Sequence, residues 1–217
     1  MMRLPERIRT ALIVAPHPDD ETIGAWGLMA RLRQEGVRIR VLVVSDGAAS
    51  HPGSLSWPPS RLVAARRGET RRAMRGLGIP AAAIRFAGLP DGGLDSCGLE
   101  RALTRAIRTM PPADLVVGPV EDDDHGDHRA VARAVRRCRF GSRPRLSLGY
   151  RVWPLDRRKV GPMRVLLRGA GRHAKRRAVL SYRTQAGAIT DSPTGMMITH
   201  RHLAAFARPF EHFRVLA

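Results

Sequence analysis

Cysteine, lysine and aromatic residues are all scarce in this 217-residue chain. Its two cysteines, Cys97 and Cys138, lie outside any CxxC spacing, which argues against a disulfide framework. Aromatic residues make up 5% of the sequence, too little for the base-stacking platforms of single-strand nucleic-acid binders. No apolar stretch approaches the length of a membrane span. The start, Met1-Met2-Arg3 followed by Glu6 and Arg9, runs into an apolar segment too short for a signal peptide, so the cytoplasm is the expected compartment.

The scarcity of lysine is the other face of an arginine surplus: of 38 basic residues only Lys159 and Lys175 are lysine, and the net charge is +19. Two readings compete. The surplus would attract phosphate-rich partners, whether nucleic acid, an anionic membrane face or a phosphorylated glycan. The plainer reading, given more weight, is a GC-rich coding bias that puts arginine on solvated faces. Basic residues cluster at 61–75 and 172–177, but the first cluster falls on an expected helix, where a solvated face looks the same. Nucleic-acid binding ranks below catalysis, because zinc-finger spacing, RNA-recognition aromatics and leucine heptads are all missing.

What the chain does have is alternation. Through residue 140, apolar runs at 10–14, 37–44, 82–86 and 114–118 alternate with amphipathic stretches at 22–35, 60–77, 99–110 and from about 127. This pattern predicts an α/β fold, a Rossmann-like three-layer arrangement with a mostly parallel sheet covered on both faces. Residues 1–217 are expected to form a single domain, with 1–140 as core and 141–217 as a C-terminal extension. In that extension only strands near 146–152 and 163–167 and a helix over 172–180 are legible. The Ser-, Gly-, Pro- and His-rich stretch 48–59 reads as a lid.

In such sheets ligands bind beyond the carboxyl ends of the strands. The first such end carries His17-Pro18-Asp19-Asp20-Glu21, an expensive concentration of charge beside a buried strand that calls for a cation among the carboxylates. The fourth carries Glu121 to Asp124 and then His125-Gly126-Asp127-His128. A catalytic zinc site commonly uses two histidines and one carboxylate, and His17, Asp20 and His128 meet that count. Asp19, left unbound beside them, becomes the general base. Taken singly, Asp19 and Asp20 would be helix N-caps and His128 a surface or helix-start histidine. The acidic run 121–124 is either a solvated loop or a device that favours a cationic product.

The two clusters together resemble the signature of the LmbE-like or PIG-L deacetylases, metal-dependent N-deacetylases of N-acetylglucosamine-containing substrates. The resemblance extends to Val44-Ser45-Asp46-Gly47, the segment from Arg66 to Glu69, Leu89-Pro90-Asp91-Gly92 and Tyr182-Arg183-Thr184-Gln185. It implies that His17, Asp20 and His128 hold Zn2+, with Fe2+ or another divalent ion as an alternative, and that Asp19 is the base. It further implies that His125 stabilises or protonates the reacting amide, that Asp127 orients an imidazole, foremost His125, and that Arg66 and Asp91 contact substrate. Gly126 replaces the proline common at its position.

The implied chemistry is metal-assisted hydrolysis of an N-acetyl group on an N-acetylglucosamine-type sugar or conjugate, releasing acetate and a free amine. The arginine surplus favours a phosphorylated or lipid-linked glycoconjugate, with peripheral membrane contact. The alternatives are an amidase of a thiol or secondary-metabolite conjugate, and a non-catalytic basic nucleic-acid or membrane-surface binder on the same fold.

Overall fold

A computed structural model describes residues 8–94, 98–138, 144–157 and 159–216. Cys97 and the segment before Ile8 lie outside the described residues. Strands β1 (Thr10–Ala15), β2 (Arg38–Ser45), β3 (Ile84–Leu89), β4 (Leu115–Pro119) and β5 (Leu146–Tyr150) pair in parallel. Two more, β6 (Met163–Leu166) and β7 (Phe210–Val215), complete a seven-stranded sheet in the order β3-β2-β1-β4-β5-β7-β6, with β7 antiparallel to both β5 and β6.

The period-two alternation of side chains splits the core between two faces of the sheet. Ala11, Ile13, Ile39, Val41 and Val43 pack on one face with Leu28, Met29 and Leu32 of α1 (Asp20–Gln34) and Val179 of α5 (Gly169–Leu180). Leu12, Val14, Leu42, Val44 and Val116 face Leu103 and Ile107 of α3 (Leu99–Arg108) and Val131 and Val135 of α4 (Gly126–Arg137). Each fully buried valine, leucine, isoleucine or methionine among these contributes about 1.5–3 kcal/mol. Helix α2 (Pro59–Arg75) follows the 48–59 loop, and α6 (His200–Phe206) precedes β7. Gly24 lets α1 approach β5, since a Cβ there would fall 2.4 Å from the Tyr150 ring.

Helix α1 is broken at Ala25, where φ is −140° and ψ 17°. The break is sutured by a buried ion pair. Glu211 of β7 accepts the N–H groups of Gly27 (2.8 Å) and Leu28 (3.0 Å), while Lys175 of α5 donates to the Ile23 carbonyl (2.8 Å) and to Glu211 (2.6 Å). Carboxylate thus meets the amino end of one half-helix and ammonium the carboxyl end of the other, as the helix dipole favours.

Several sequence-based boundaries shift. Helix α1 begins at Asp20 rather than 22, placing Asp20 and Glu21 in its first turn, and β3 begins at Ile84 after a 3-10 turn over Ala81–Ala83. Helix α6 and strand β7 escaped the periodicity because α6 spans only seven residues and β7 mixes exposed and buried positions. The 48–59 stretch is a pinned wall instead of a free lid. Ser54 Oγ and Ser56 N donate to Asp191, Ser192 Oγ donates to the Pro52 carbonyl, and Met196 N donates to the Ser50 carbonyl.

Candidate metal centre and its cavity

Strand order reverses between β1 and β4, and the loops after these two strands carry the two sequence clusters to one crevice. Within it, His17 Nδ1 lies 3.1 Å from Asp20 Oδ2, His128 Nε2 lies 3.1 Å from the same oxygen, and the two nitrogens are 3.3 Å apart. A tetrahedral ion bonded at about 2.0–2.1 Å holds its ligands roughly 3.3 Å from one another, so this triangle fits a divalent cation. A wider grouping of His17, His125 and His128 and another of His17, Asp91 and Asp127 also bring donor atoms within 4.8 Å.

Each imidazole is braced on its far nitrogen, as metal-bound histidines generally are. His17 Nε2 faces Asp91 Oδ1 at 3.1 Å and Asp127 Oδ2 at 3.2 Å. Asp127 also accepts the N–H groups of Gly92 and Leu94, and Asp91 that of Ala49. His128 Nδ1 stands 3.3 Å from Asp123 Oδ2, and Asp123 accepts N–H groups from His125, Val152 and Trp153. The sequence pointed Asp127 foremost at His125; its carboxylate instead touches His17, and only its backbone N–H reaches His125 Nδ1, at 3.2 Å.

The electrostatics express the same demand for positive charge. Burial opposes protonation of His17 and His128, yet the surrounding carboxylates outweigh it, raising His17 well above the ordinary imidazole range and His128 to about 9. Burial likewise opposes ionisation of Asp20, and His128 and His17 overcome it to hold Asp20 well below the usual carboxylate range. A divalent cation bound among these groups would need both imidazoles unprotonated, so its binding would be coupled to pH.

Asp19 sits at the N-cap position of α1 without capping it, with φ +120°, and is alone among the described non-glycine residues in having positive φ. Such a conformation costs about 1–3 kcal/mol and persists only where neighbours enforce it. Here Glu21 accepts the Asp19 N–H (3.2 Å), and Arg66 donates to the Pro18 carbonyl (2.6 Å) and to Asp19 Oδ2 (3.3 Å). Glu21 is fully buried, pushed up to about 7 by burial, and receives the Tyr182 hydroxyl. Burial pushes the Asp19 carboxyl up to about 8 against the opposing Arg66 guanidinium.

His17, Asp19, Asp20, Arg66, Asp91, His125 and His128 all line one cavity of about 600 Å3; Asp127 stands behind it. Its other lining comes from Gln185, which the resemblance included, and from residues the sequence reading missed: Val152 and Trp153 after β5, Thr194 to Ile198 and His202. The position of Trp153 beyond a parallel strand was the available signal. Asp123 was missed because nothing in the sequence separates it from Glu121, Asp122 and Asp124. Of these, Asp123 is 2% exposed, whereas Asp122 pairs with Arg151 and Arg214 and Glu121 with Arg136.

An open α/β sheet with a candidate histidine–aspartate cation centre at its switch point defines the class. The family follows from comparison: residues 12–139, more than half of the chain, match the profile described as PIG-L: GlcNAc-PI de-N-acetylase, and the chain belongs to that family. It is 31% identical over 155 residues to the 2'-N-acetylparomamine deacetylase of Streptomyces fradiae, covering 61% of this chain and 54% of that one. It is 38% identical over 137 residues to a 1D-myo-inositol 2-acetamido-2-deoxy-alpha-D-glucopyranoside deacetylase of Geodermatophilus obscurus, covering 59% and 43%. The chain thus spans about half the length of these curated relatives. In structure it resembles the N,N'-diacetylchitobiose deacetylase from Pyrococcus horikoshii, with TM-score 0.78 at 21% identity over 97% of this chain and 85% of that one, a likeness of fold.

Proposed function

We propose that this protein is a divalent-metal-dependent N-deacetylase that hydrolyses the acetamido group of an N-acetylglucosamine-type sugar or its conjugate, with Zn2+ as the ion. The observation that carries the reading is the donor triangle of His17, Asp20 and His128, with Asp19 and His125 on the wall of the same cavity. The names of the family and of the two curated relatives support it. We extend the reading to residues 141–217 as part of one domain, since β5, β6 and β7 continue the sheet.

When bound, the ion supplies a Lewis acid and a means of activating water. Asp19, held off helix capping by its backbone and by Arg66, accepts the proton of the attacking water and returns it to the departing amine. His125 Nδ1 accepts the Asp127 N–H, which fixes the neutral tautomer with the proton on Nε2. That Nε2–H is then the donor to the oxyanion of the tetrahedral intermediate. Burial and the neighbouring His128 and His17 lower the His125 pKa, in keeping with a neutral donor. Asp91 and Asp127 orient His17, and Arg66 acts first on Pro18 and Asp19.

The test is acetate release by the metal-loaded protein from N-acetylglucosamine, its inositol glycoside, diacetylchitobiose and an N-acetylated thiol conjugate. Asp19→Asn should lower kcat by roughly 10²- to 10⁴-fold while metal content is retained. Equal loss of metal and activity would contradict a base outside the metal shell. A protein that binds no stoichiometric metal and functions unchanged without His17 or His128 would instead be a basic binding module.

A further inference from the structure

The cavity of about 600 Å3 has a further set of lining residues to which the hydrolysis of an acetamido group gives no role. These are Val152, Trp153, Met196, Met197 and Ile198 together with His202. Trp153 meets the His202 ring edge-on at 5.5 Å between centroids, and His202 stacks on Phe206 at 6.0 Å. The wall is held in shape. Asp123, which braces His128, also accepts the N–H groups of Val152 and Trp153. His202 Nδ1 lies 3.0 Å from Thr199 N and 3.1 Å from the Met197 carbonyl oxygen, and Ile198 N donates to the Gln185 carbonyl.

The lining draws little on the arginine surplus. Among the described lining residues there are three aspartates, four histidines and a single arginine, Arg66, in a chain of net charge +19. Arg66 gives Nη1 to the Gly47 carbonyl and Nη2 to the Pro18 carbonyl and Asp19, and its Nε is buried. A phosphate clamp needs the guanidinium fork, which Arg66 directs at these neighbours.

We infer that the part of the cavity lined by Trp153, Met197, Ile198 and His202 is a specificity subsite for an uncharged apolar or aromatic group carried by the amino sugar. The inference rests on the proposed deacetylase reading. It departs from the phosphorylated substrate that the arginine surplus suggested: among the described residues Arg66 is the one arginine in the lining, and burial of an apolar group against Trp153 and Met197 provides the selectivity. The same chemistry can come from the anomeric substituent or from an N-acyl chain longer than acetyl.

The experiment compares N-acetylglucosamine, its phenyl glycoside, its 1-phosphate and N-hexanoylglucosamine, measuring kcat/KM for amine release by the metal-loaded protein and calorimetric Kd on the metal-loaded Asp19→Asn variant. The phenyl glycoside or the N-hexanoyl sugar should exceed the parent by about tenfold in kcat/KM, and which of the two does so identifies the source of the apolar group. Met197→Ser, at a position 53% exposed and so tolerant of change, should collapse the ratio between favoured substrate and parent towards one, whereas Met197→Leu keeps it. Equal turnover of all four substrates, or preference for the 1-phosphate, overturns the subsite and leaves the deacetylase reading standing. Tighter binding of the apolar compounds without any amine release upholds the subsite and overturns the deacetylase reading.

Discussion

At Asp123 one buried carboxylate accepts N–H groups from His125, Val152 and Trp153 while standing 3.3 Å from His128 Nδ1. It ties an imidazole of the candidate metal centre to the apolar wall opposite. Carboxylates so placed raise the basicity of a metal-binding histidine and fix its orientation. Asp123→Asn keeps the volume and loses the charge, and the expected outcome is a 10- to 100-fold fall in metal affinity, read by titration against a competing chelator. Unchanged affinity would reduce Asp123 to a brace of the loop. Nothing in Glu121-Asp122-Asp123-Asp124 marks the third residue, because which of four adjacent acids turns inward depends on the backbone after β5, a contact across the sheet. The two clusters around His17 and His128 were legible because their spacing is local and their chemistry admits few other uses.

At the scale of elements, the suture of α1 belongs to the C-terminal extension. Lys175 is fully buried and Glu211 is 5% exposed. Removing one partner of such a pair leaves an uncompensated buried charge, so Lys175→Met should destabilise the protein by about 3–5 kcal/mol, measured by denaturant unfolding. A loss below 1 kcal/mol would show that the pair is dispensable. The pinned loop gives a second expectation. Hydrogen bonds from Ser54 and Ser56 hold the exposed Asp191 carboxyl at about 2, below its ordinary 3.8. A lowered folded pKa contributes stability that is complete above the ordinary carboxylate range and is lost as pH falls towards 2. Protection of the Ser56 amide, its exchange rate relative to the intrinsic rate at the same pH, should therefore fall below about pH 4 in the native chain and be low at all pH values in Asp191→Ala. Protection indifferent to both would remove Asp191 as the fastener. The sequence offered the loop as a lid because its composition records turn residues, whereas its fasteners, 135 and more residues away in sequence, leave no local trace.

Across the whole molecule, apolar periodicity made the five parallel strands, β6 and helices α1 to α5 legible, since most of them turn a regular apolar face to the core. Helix α6 and strand β7 are short and marginal in pattern, and their place is set by Glu211 and Phe213, which pack into the sheet from the far end of the chain. Charge, too, sorts differently by depth than by count. The surplus of arginine is largely a surface property, with Arg61 over Trp57 and Arg67 and Arg71 over Phe86, while the cavity lining carries more carboxylate than guanidinium. No helix among the described residues is long and apolar enough to cross a membrane.

The stitching of the 48–59 loop to residues 185–198 bears on how a substrate would be chosen. With the loop already fastened at Ser50, Pro52, Ser54 and Ser56, the cavity has its working outline before anything enters it. Little ordering remains to be done on arrival, so less of the binding free energy is lost to it. Discrimination then falls on the shape and polarity of the incoming molecule, which must fit a mould already set.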